Sequence, residues 1–295
     1  MVPELLSLGY RVTVLDNFSF NQKSLLDVSY DNKLSVIRGD VNDQKILKKL
    51  VQEHDVIIPL AAIVGAPACN QNLFLAEQTN TNQIRTIVDS SSNGQQILFP
   101  VTNSGYGVGE GNKFCDENSP LNPISFYGKS KVDAERILLD KGNAITFRLA
   151  TVFGTSPRMR MDLLVNDFVY RAVSDRFIIL FESHFKRNYI HIRDIANVFI
   201  HGLNNYESMV GEPFNVGLSD ANISKKELCE RIKLHVDEFH IIENDIAEDP
   251  DKRDYIVSNE KLESTGWSPS YSLDYGISEL VNTYKWLKTN EFSNV

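Results

Sequence analysis

The stretch SFYGKSKVDAE places a tyrosine and a lysine, Tyr127 and Lys131, four residues apart. On a helix that spacing sets both side chains on one face, one turn from each other. A lysine ammonium beside a phenol favours the phenolate and draws its pKa down from about 10 toward neutrality. Such a tyrosine can accept the proton of a sugar hydroxyl while hydride leaves the same carbon. Ahead of the pair, ILFPVTNSGYG reads as a strand that delivers Thr102 to its carboxyl end. In open parallel sheets ligands bind at that edge. Thr102, Tyr127 and Lys131 form a candidate catalytic set. The same spacing recurs at Tyr284 and Lys288 in YKWLK. No strand-end hydroxyl precedes that second pair, and it reads as a solvated helix face.

The elements that must position this set begin with MVPELLSLGYRVTVLDN. Pro3, Leu5, Leu6 and Leu8 make an apolar helical face, and Gly9 stops the helix. Residues 11–15 then read as a buried strand ending at Asp16. A strand ending in an acid marks the second strand of a dinucleotide-binding unit, where the carboxylate accepts hydrogen bonds from the adenosine ribose. The glycine-rich loop of that unit lies about 20 residues before the acid. Counting back from Asp16 runs off the 295 residues. The expectation is that the first strand and its GxxGxxG-type loop are absent from this chain, leaving the neighbours of a central strand with unpaired backbone groups and NAD weakly held. A later glycine run, GYGVGEGNK, carries Gly105, Gly107, Gly109 and Gly111. It follows the acid and leads into loop-like text, whereas a phosphate cradle leads straight into a helix. It reads as a tight turn over the active site.

Strand and helix patterns alternate along the first half. Strands are expected at 34–38, 56–62, 96–101 and 144–151, and helices at 44–53, 74–90 and 125–140. The continuous apolar strands indicate an α/β, doubly wound parallel sheet of Rossmann type, lacking its first strand and glycine loop. Past Gly154 the text is more irregular and richer in charge, which suggests a smaller C-terminal substrate-binding lobe. The expected division is 1–154 plus about 188–217 for the NAD-binding domain, and about 155–187 plus 218–295 for the lobe. NYIHIRDIANVFIHG is expected to return a strand and a helix to the first domain.

The net charge of −9 argues against a broad nucleic-acid surface or a polybasic membrane patch. An anionic substrate must then be gripped by a few focused arginines. Cys69, Cys115 and Cys229 are odd in number and share no CxxC spacing, so neither a disulfide framework nor a zinc site is expected. The six histidines show no metal-ligand spacing. The longest apolar stretch, 56–68, is too short to span a bilayer and is broken by Pro59. A cytoplasmic protein without a signal peptide is the expectation.

With these residues in view, the chain resembles an extended short-chain dehydrogenase/reductase of the NAD-dependent epimerase/dehydratase family over essentially its whole length. The resemblance implies NAD as cofactor. It implies that Asp16 and Asn17 face the adenosine ribose, that Asp40 and Val41 face the adenine, and that Leu60, Ala61 and Ala62 line the cofactor. Asn80 in QTNTNQIRTIV matches the helix asparagine that supports this site. Thr102, Tyr127 and Lys131 match the catalytic set. Thr151 and Val152 in RLATVFG match the strand end beside the nicotinamide. For a nucleotide-diphosphate sugar it implies contacts from Thr102, Asn103, Asn166, Arg187 and Arg253. Two arginines suit a diphosphate, being permanently charged and bidentate.

Within the family, 4,6-dehydratases carry further acid–base groups directly after the threonine. Here those positions are Asn103 and Ser104, and the 3,5-epimerases have a cysteine where Ser104 stands. That leaves chemistry centred on C4. VGAP, TNSGYGVGE and EDPDKRDYIVSN are similar to the branch that oxidises GDP-heptoses at C4. Three readings stay open: a nucleotide-sugar 4-dehydrogenase, a 4-epimerase with the same catalytic set, or a truncated, non-catalytic nucleotide-sugar binder. The resemblance also implies a homodimer formed through the helix carrying Tyr127 and its neighbour.

Overall fold

The computed structural model describes residues 1–109, 111, 113–244 and 253–287. Lys288, half of the second Tyr/Lys pair, lies outside them. The chain opens with α1 (Val2–Ser7), which buries Leu5 and Leu6. Gly9, at φ +93°, turns the chain out of it through a conformation that favours glycine. Leu8 is exposed, so the buried face of this helix is narrower than the pattern implied. β1 (Val12–Asp16) pairs in parallel with β2 (Leu34–Arg38), Asp16 opposite Arg38. β1 is half-buried along its length, where a buried strand was expected.

α2 (Gln44–Glu53) starts at Asp43, whose carboxylate accepts from the backbone N–H of Lys45 and Ile46. It leads into β3, which covers only Val56–Ile57. The expected strand over 56–62 stops short because Pro59 has no N–H to give a ladder. β3 pairs in parallel with β4 (Gln96–Thr102). The sheet orders keep β1–β2 apart from β3–β4.

α3 (Ala66–Gln71) comes first. The helix expected at 74–90 is three pieces: α4 (Leu73–Glu77), a π turn at Gln78–Asn82, and α5 (Gln83–Ser90). A π turn inside a helix often marks a functional site, and this one carries Asn80. After β4 a 3₁₀ turn covers Asn103–Tyr106, and β5 covers Phe114–Cys115. α6 (Phe126–Lys141) is capped by Ser125 Oγ, which accepts from Gly128 N, and ends at Gly142 at φ +84°. The strand expected at 144–151 is split into β6 (Ala144–Leu149) and β7 (Thr151–Phe153). β6 lies next to β4, and the order of that sheet is β3–β4–β6–β10.

The remainder contains α7 (Leu164–Ser174), β8 (Phe177–Phe181), β9 (Lys186–His191), α8 (Ile192–Asn204), α9 (Tyr206–Met209) and β10 (Pro213–Val216). It continues with β11 (Asn222–Ser224), α10 (Lys225–Lys233), β12 (His240–Asn244), β13 (Ile256–Val257), α11 (Glu260–Glu263) and α12 (Leu273–Tyr284). β9 lies between β7, in parallel, and β11, antiparallel.

Two compact units result: Met1–Thr102, Ser125–Phe147 and Ala196–Pro213 form one, and Asn103–Ile124, Arg148–Ile195 and Phe214–Val295 the other. These boundaries differ from the expected lobes. Of NYIHIRDIANVFIHG, only the helix from Ala196 joins the first unit, because β9 takes its strand partners from the second. The first unit has a core of Leu47, Val51, Ile84, Ile87, Ile97, Phe99, Val101, Ala134, Leu138 and Ala144. Those residues come from α2, α5, β4, α6 and β6, so α6 is fixed on the sheet that carries Thr102. Tyr106, Cys115, Tyr255 and Val257 cluster in the second unit.

Candidate active site

In the first unit, β4 ends on Thr102 and α6 begins two dozen residues later with Tyr127 in its first turn. Thr102 and Tyr127 are half-buried, and Lys131, one turn on, is buried. The Lys131 ammonium sits 3.7 Å above the centre of the Phe99 ring, which β4 supplies. A cation over an aromatic face recovers part of the hydration lost on burial. The burial nonetheless pushes the Lys131 pKa down to about 7, and the charge of Glu135 acts against that fall. Near neutral pH this lysine is balanced between its charged and neutral forms.

Asn80, in the π turn, is buried and ties two elements together. Its Oδ1 accepts from Ile63 N at 2.8 Å, and its Nδ2 donates to Ile63 O at 3.0 Å and to Ser130 Oγ at 3.2 Å. The segment after Pro59 is thereby fixed to α6 between Tyr127 and Lys131. Gln83 strengthens the tie by donating to Ala61 O at 2.5 Å. Asn80 thus supports the site through backbone and helix. Of the three residues expected to line a cofactor, Leu60 is exposed and Ala61 and Ala62 are half-buried.

Asp16, at the end of β1, accepts from Phe18 N at 2.6 Å and from Gln22 Nε2 at 3.2 Å. Asn17 donates to Asp40 Oδ2 at 3.3 Å, and Asp40 Oδ1 accepts from Asn42 N at 2.8 Å. An ionised carboxylate has about four lone-pair positions, so Asp16 keeps capacity for ribose hydroxyls. Val41 follows, half-buried. The residues present fit the adenosine end of NAD.

The second unit carries the remaining candidates. Thr151 and Val152 are half-buried on β7, opposite Tyr189 and Ile190 of β9. Asn166 is buried with both ends of its amide engaged: Nδ2 donates to Arg160 O at 2.8 Å, and Oδ1 accepts from Gly154 N at 3.1 Å. That makes it a clamp on the loop after β7. Arg187 is buried, donates to Lys186 O at 2.9 Å and stacks 5.6 Å from the centre of the Tyr255 ring. Arg253 donates to Ser104 Oγ. Asn103 is 1% exposed, and both polar atoms of its amide lack a hydrogen-bond partner. A buried amide so placed calls for a ligand or water.

The glycine run leads into no helix. Gly107, at φ +72°, lies against the Asn122 carbonyl, and Gly109 donates to Asp254 O at 2.7 Å. It is a turn, as expected, and it is fastened to the segment that carries Arg253. One reading needs correction. Tyr284 is 2% exposed, with its ring edge-on to Tyr170 and its hydroxyl toward Met159 Sδ, so it belongs to the core and to no solvated face.

Sequence reasoning missed a buried polar network in the second unit. Arg148 donates to Tyr106 Oη at 3.1 Å and to Glu117 O at 3.1 Å, while Tyr106 Oη donates to Asn215 Oδ1 at 2.7 Å. Its members are far apart in sequence, so no local signal announces it. Among the described residues, no group of three or more His, Cys, Asp and Glu side chains is placed to hold a metal ion. Nor, among them, is any helix long and apolar enough to cross a membrane.

The family described as NAD dependent epimerase/dehydratase matches residues 1–217. The chain belongs to that family, whose cofactor is NAD. It is 26% identical over 260 residues to the low-salt glycan biosynthesis protein Agl12 of Haloferax volcanii, spanning 84% of this chain and 81% of the relative. It is 24% identical over 300 residues to a putative UDP-glucose 4-epimerase of Methanocaldococcus jannaschii, spanning 98% and 94%. The solved dTDP-glucose 4,6-dehydratase of Bacillus anthracis, in complex with NAD, matches with a TM-score of 0.81 at 19% identity, over 97% of this chain and 92% of that one. That likeness shows the α/β Rossmann-type fold.

Proposed function

We propose that the chain oxidises C4 of a nucleotide-diphosphate sugar, with NAD as hydride acceptor. The observation that carries this reading is the set at the end of β4: Thr102, then Tyr127 and a buried Lys131 on one face of α6. Tyr127 Oη takes the C4 hydroxyl proton, Thr102 orients that hydroxyl, and the Lys131 charge keeps the phenolate accessible. Bound NAD supplies the acceptor for the hydrogen that leaves C4 with its electron pair. Asp16, Asn17, Asp40 and Val41 would hold the adenosine, and Leu60, Ala61, Ala62, Thr151 and Val152 the rest of the cofactor. Arg187 and Arg253 would grip the diphosphate, and the unpartnered Asn103 amide would meet the sugar.

The blocks quoted above resemble GDP-D-glycero-D-manno-heptose 4-dehydrogenase, which supports a GDP-heptose as the sugar. The domain reading follows role: the segments around β1, β4 and α6 serve NAD, and the later segments serve the nucleotide sugar. The full-length similarity to a putative 4-epimerase favours a second reading, in which the ketosugar is re-reduced before release. Incubation with GDP- and UDP-sugars at millimolar NAD separates them. A dehydrogenase forms NADH in step with a 4-keto sugar, an epimerase forms a C4 epimer with no net NADH, and neither product means the reading is wrong.

Two expected outcomes follow from the binding groups. The Asp16 carboxylate accepts free ribose hydroxyls and repels a 2′-phosphate, so calorimetry should give tighter binding of NAD than of NADP; the reverse order would remove Asp16 from the ribose. Charge-assisted hydrogen bonds contribute about 1.5–3 kcal/mol. Arg253→Ala should therefore raise the KM for the nucleotide sugar about tenfold or more with kcat nearly unchanged. An unaltered KM would take Arg253 out of the substrate site.

A further inference from the structure

We propose that Glu135 is a positioning residue for this reaction, its buried carboxylate holding Lys131 in the charged form one turn from Tyr127. The proposal rests on the reading of Tyr127 and Lys131 as the proton-handling pair. Tyr127, Lys131 and Glu135 follow one another at intervals of four on α6, so the three side chains share one face. Lys131 is 4% exposed and Glu135 2%. A carboxylate and an ammonium buried to that degree persist only when paired or hydrogen-bonded. Glu135 is held in place from β6, where Thr146 Oγ1 donates to its Oε1 at 2.9 Å. Thr146 is itself fully buried, so solvent does not compete for that bond.

The other ionisable groups on elements packed against α6 are few. β4 and the π turn contribute none. α3 contributes Cys69, a buried thiol that burial holds in its neutral form. α4 contributes Glu77, and α5 contributes Arg85 and Asp89, all three exposed to solvent. On α6 itself, Lys129, Asp133, Arg136 and Asp140 are exposed, and Lys141 donates to Ser91 O at 3.1 Å at the far end. β6 also carries Arg148, whose guanidinium donates to Tyr106 Oη and to the Glu117 carbonyl. Glu135 is therefore the buried anion that opposes the loss of the Lys131 proton, in agreement with the raising effect of its charge on that lysine.

Glu135→Gln keeps the shape and an acceptor for Thr146 while removing the charge. Loss of a nearby opposite charge moves a pKa by about 1–3 units. In protein carrying ¹³C at lysine Cε, with the Lys131 resonance assigned by its loss in Lys131→Met, the midpoint of Lys131 should fall by about 1 unit or more. The alkaline limb of the kcat/KM profile should move to lower pH by the same amount, and Glu135→Asp should restore both. An unchanged Lys131 midpoint in Glu135→Gln overturns the proposal, even if the variant is less stable. Should Glu135→Gln fail to fold, the Glu135 Cδ resonance of the unaltered protein carries the test. It should move at the Lys131 midpoint, and a flat response there overturns the proposal. The titration needs no turnover, so its failure is distinguishable from failure of the C4-oxidation reading, which shows as missing product while the midpoints still shift.

Discussion

Tyr127→Phe should lower turnover by about 10²- to 10⁴-fold, the usual contribution of a positioned acid–base group. The ring remains and only the oxygen goes, so the pocket keeps its shape. The fold is not threatened, because Tyr127 is half-buried in a first turn whose cap is Ser125. Binding of the nucleotide sugar should change little, which steady-state kinetics would show as a loss in kcat at nearly constant KM. Tyr284→Phe is the matched control. That hydroxyl is buried toward Met159 Sδ in the core, and its removal should leave turnover unaltered. Full activity in Tyr127→Phe would take the proton acceptor elsewhere.

Lys131→Met should cost a comparable factor at neutral pH. Methionine fills the space above Phe99 with no charge, so the Tyr127 phenol reverts toward its ordinary pKa of about 10. Residual turnover should therefore rise with pH as the phenol ionises unaided. Kinetics over a range of pH on the variant and the unaltered protein check this, and a flat residual profile would contradict a charge-supplying role for Lys131.

Local signals carried much of the fold. β2 at 34–38 and α2 at 44–53 lie where apolar period and capping residues put them, and α6 runs between the Ser125 cap and Gly142 as its text implies. The Tyr127/Lys131 spacing was legible because a helix turns spacing into geometry. What escaped depends on distance along the chain. The π turn around Asn80 is stabilised by ties to Ile63 and Ser130 that no window of local sequence contains. The strand expected at 56–62 stops after two residues, since the apolar run masked the missing N–H of Pro59. Tyr284 looked solvent-facing because its partners Met159 and Tyr170 are more than a hundred residues away. Glu135 looked like an ordinary helix-surface acid. Its burial comes from β6 and Thr146, which only the folded sheet brings to it.

The most direct measurement follows the hydrogen on C4. A nucleotide sugar deuterated at C4 is incubated with the protein at millimolar NAD, and the NADH formed is analysed by mass spectrometry. One deuterium per NADH is expected, with a 4-keto sugar in equal amount and both signals lost in Tyr127→Phe. NADH without deuterium, or an equal yield from Tyr127→Phe, would contradict oxidation at C4 by this site.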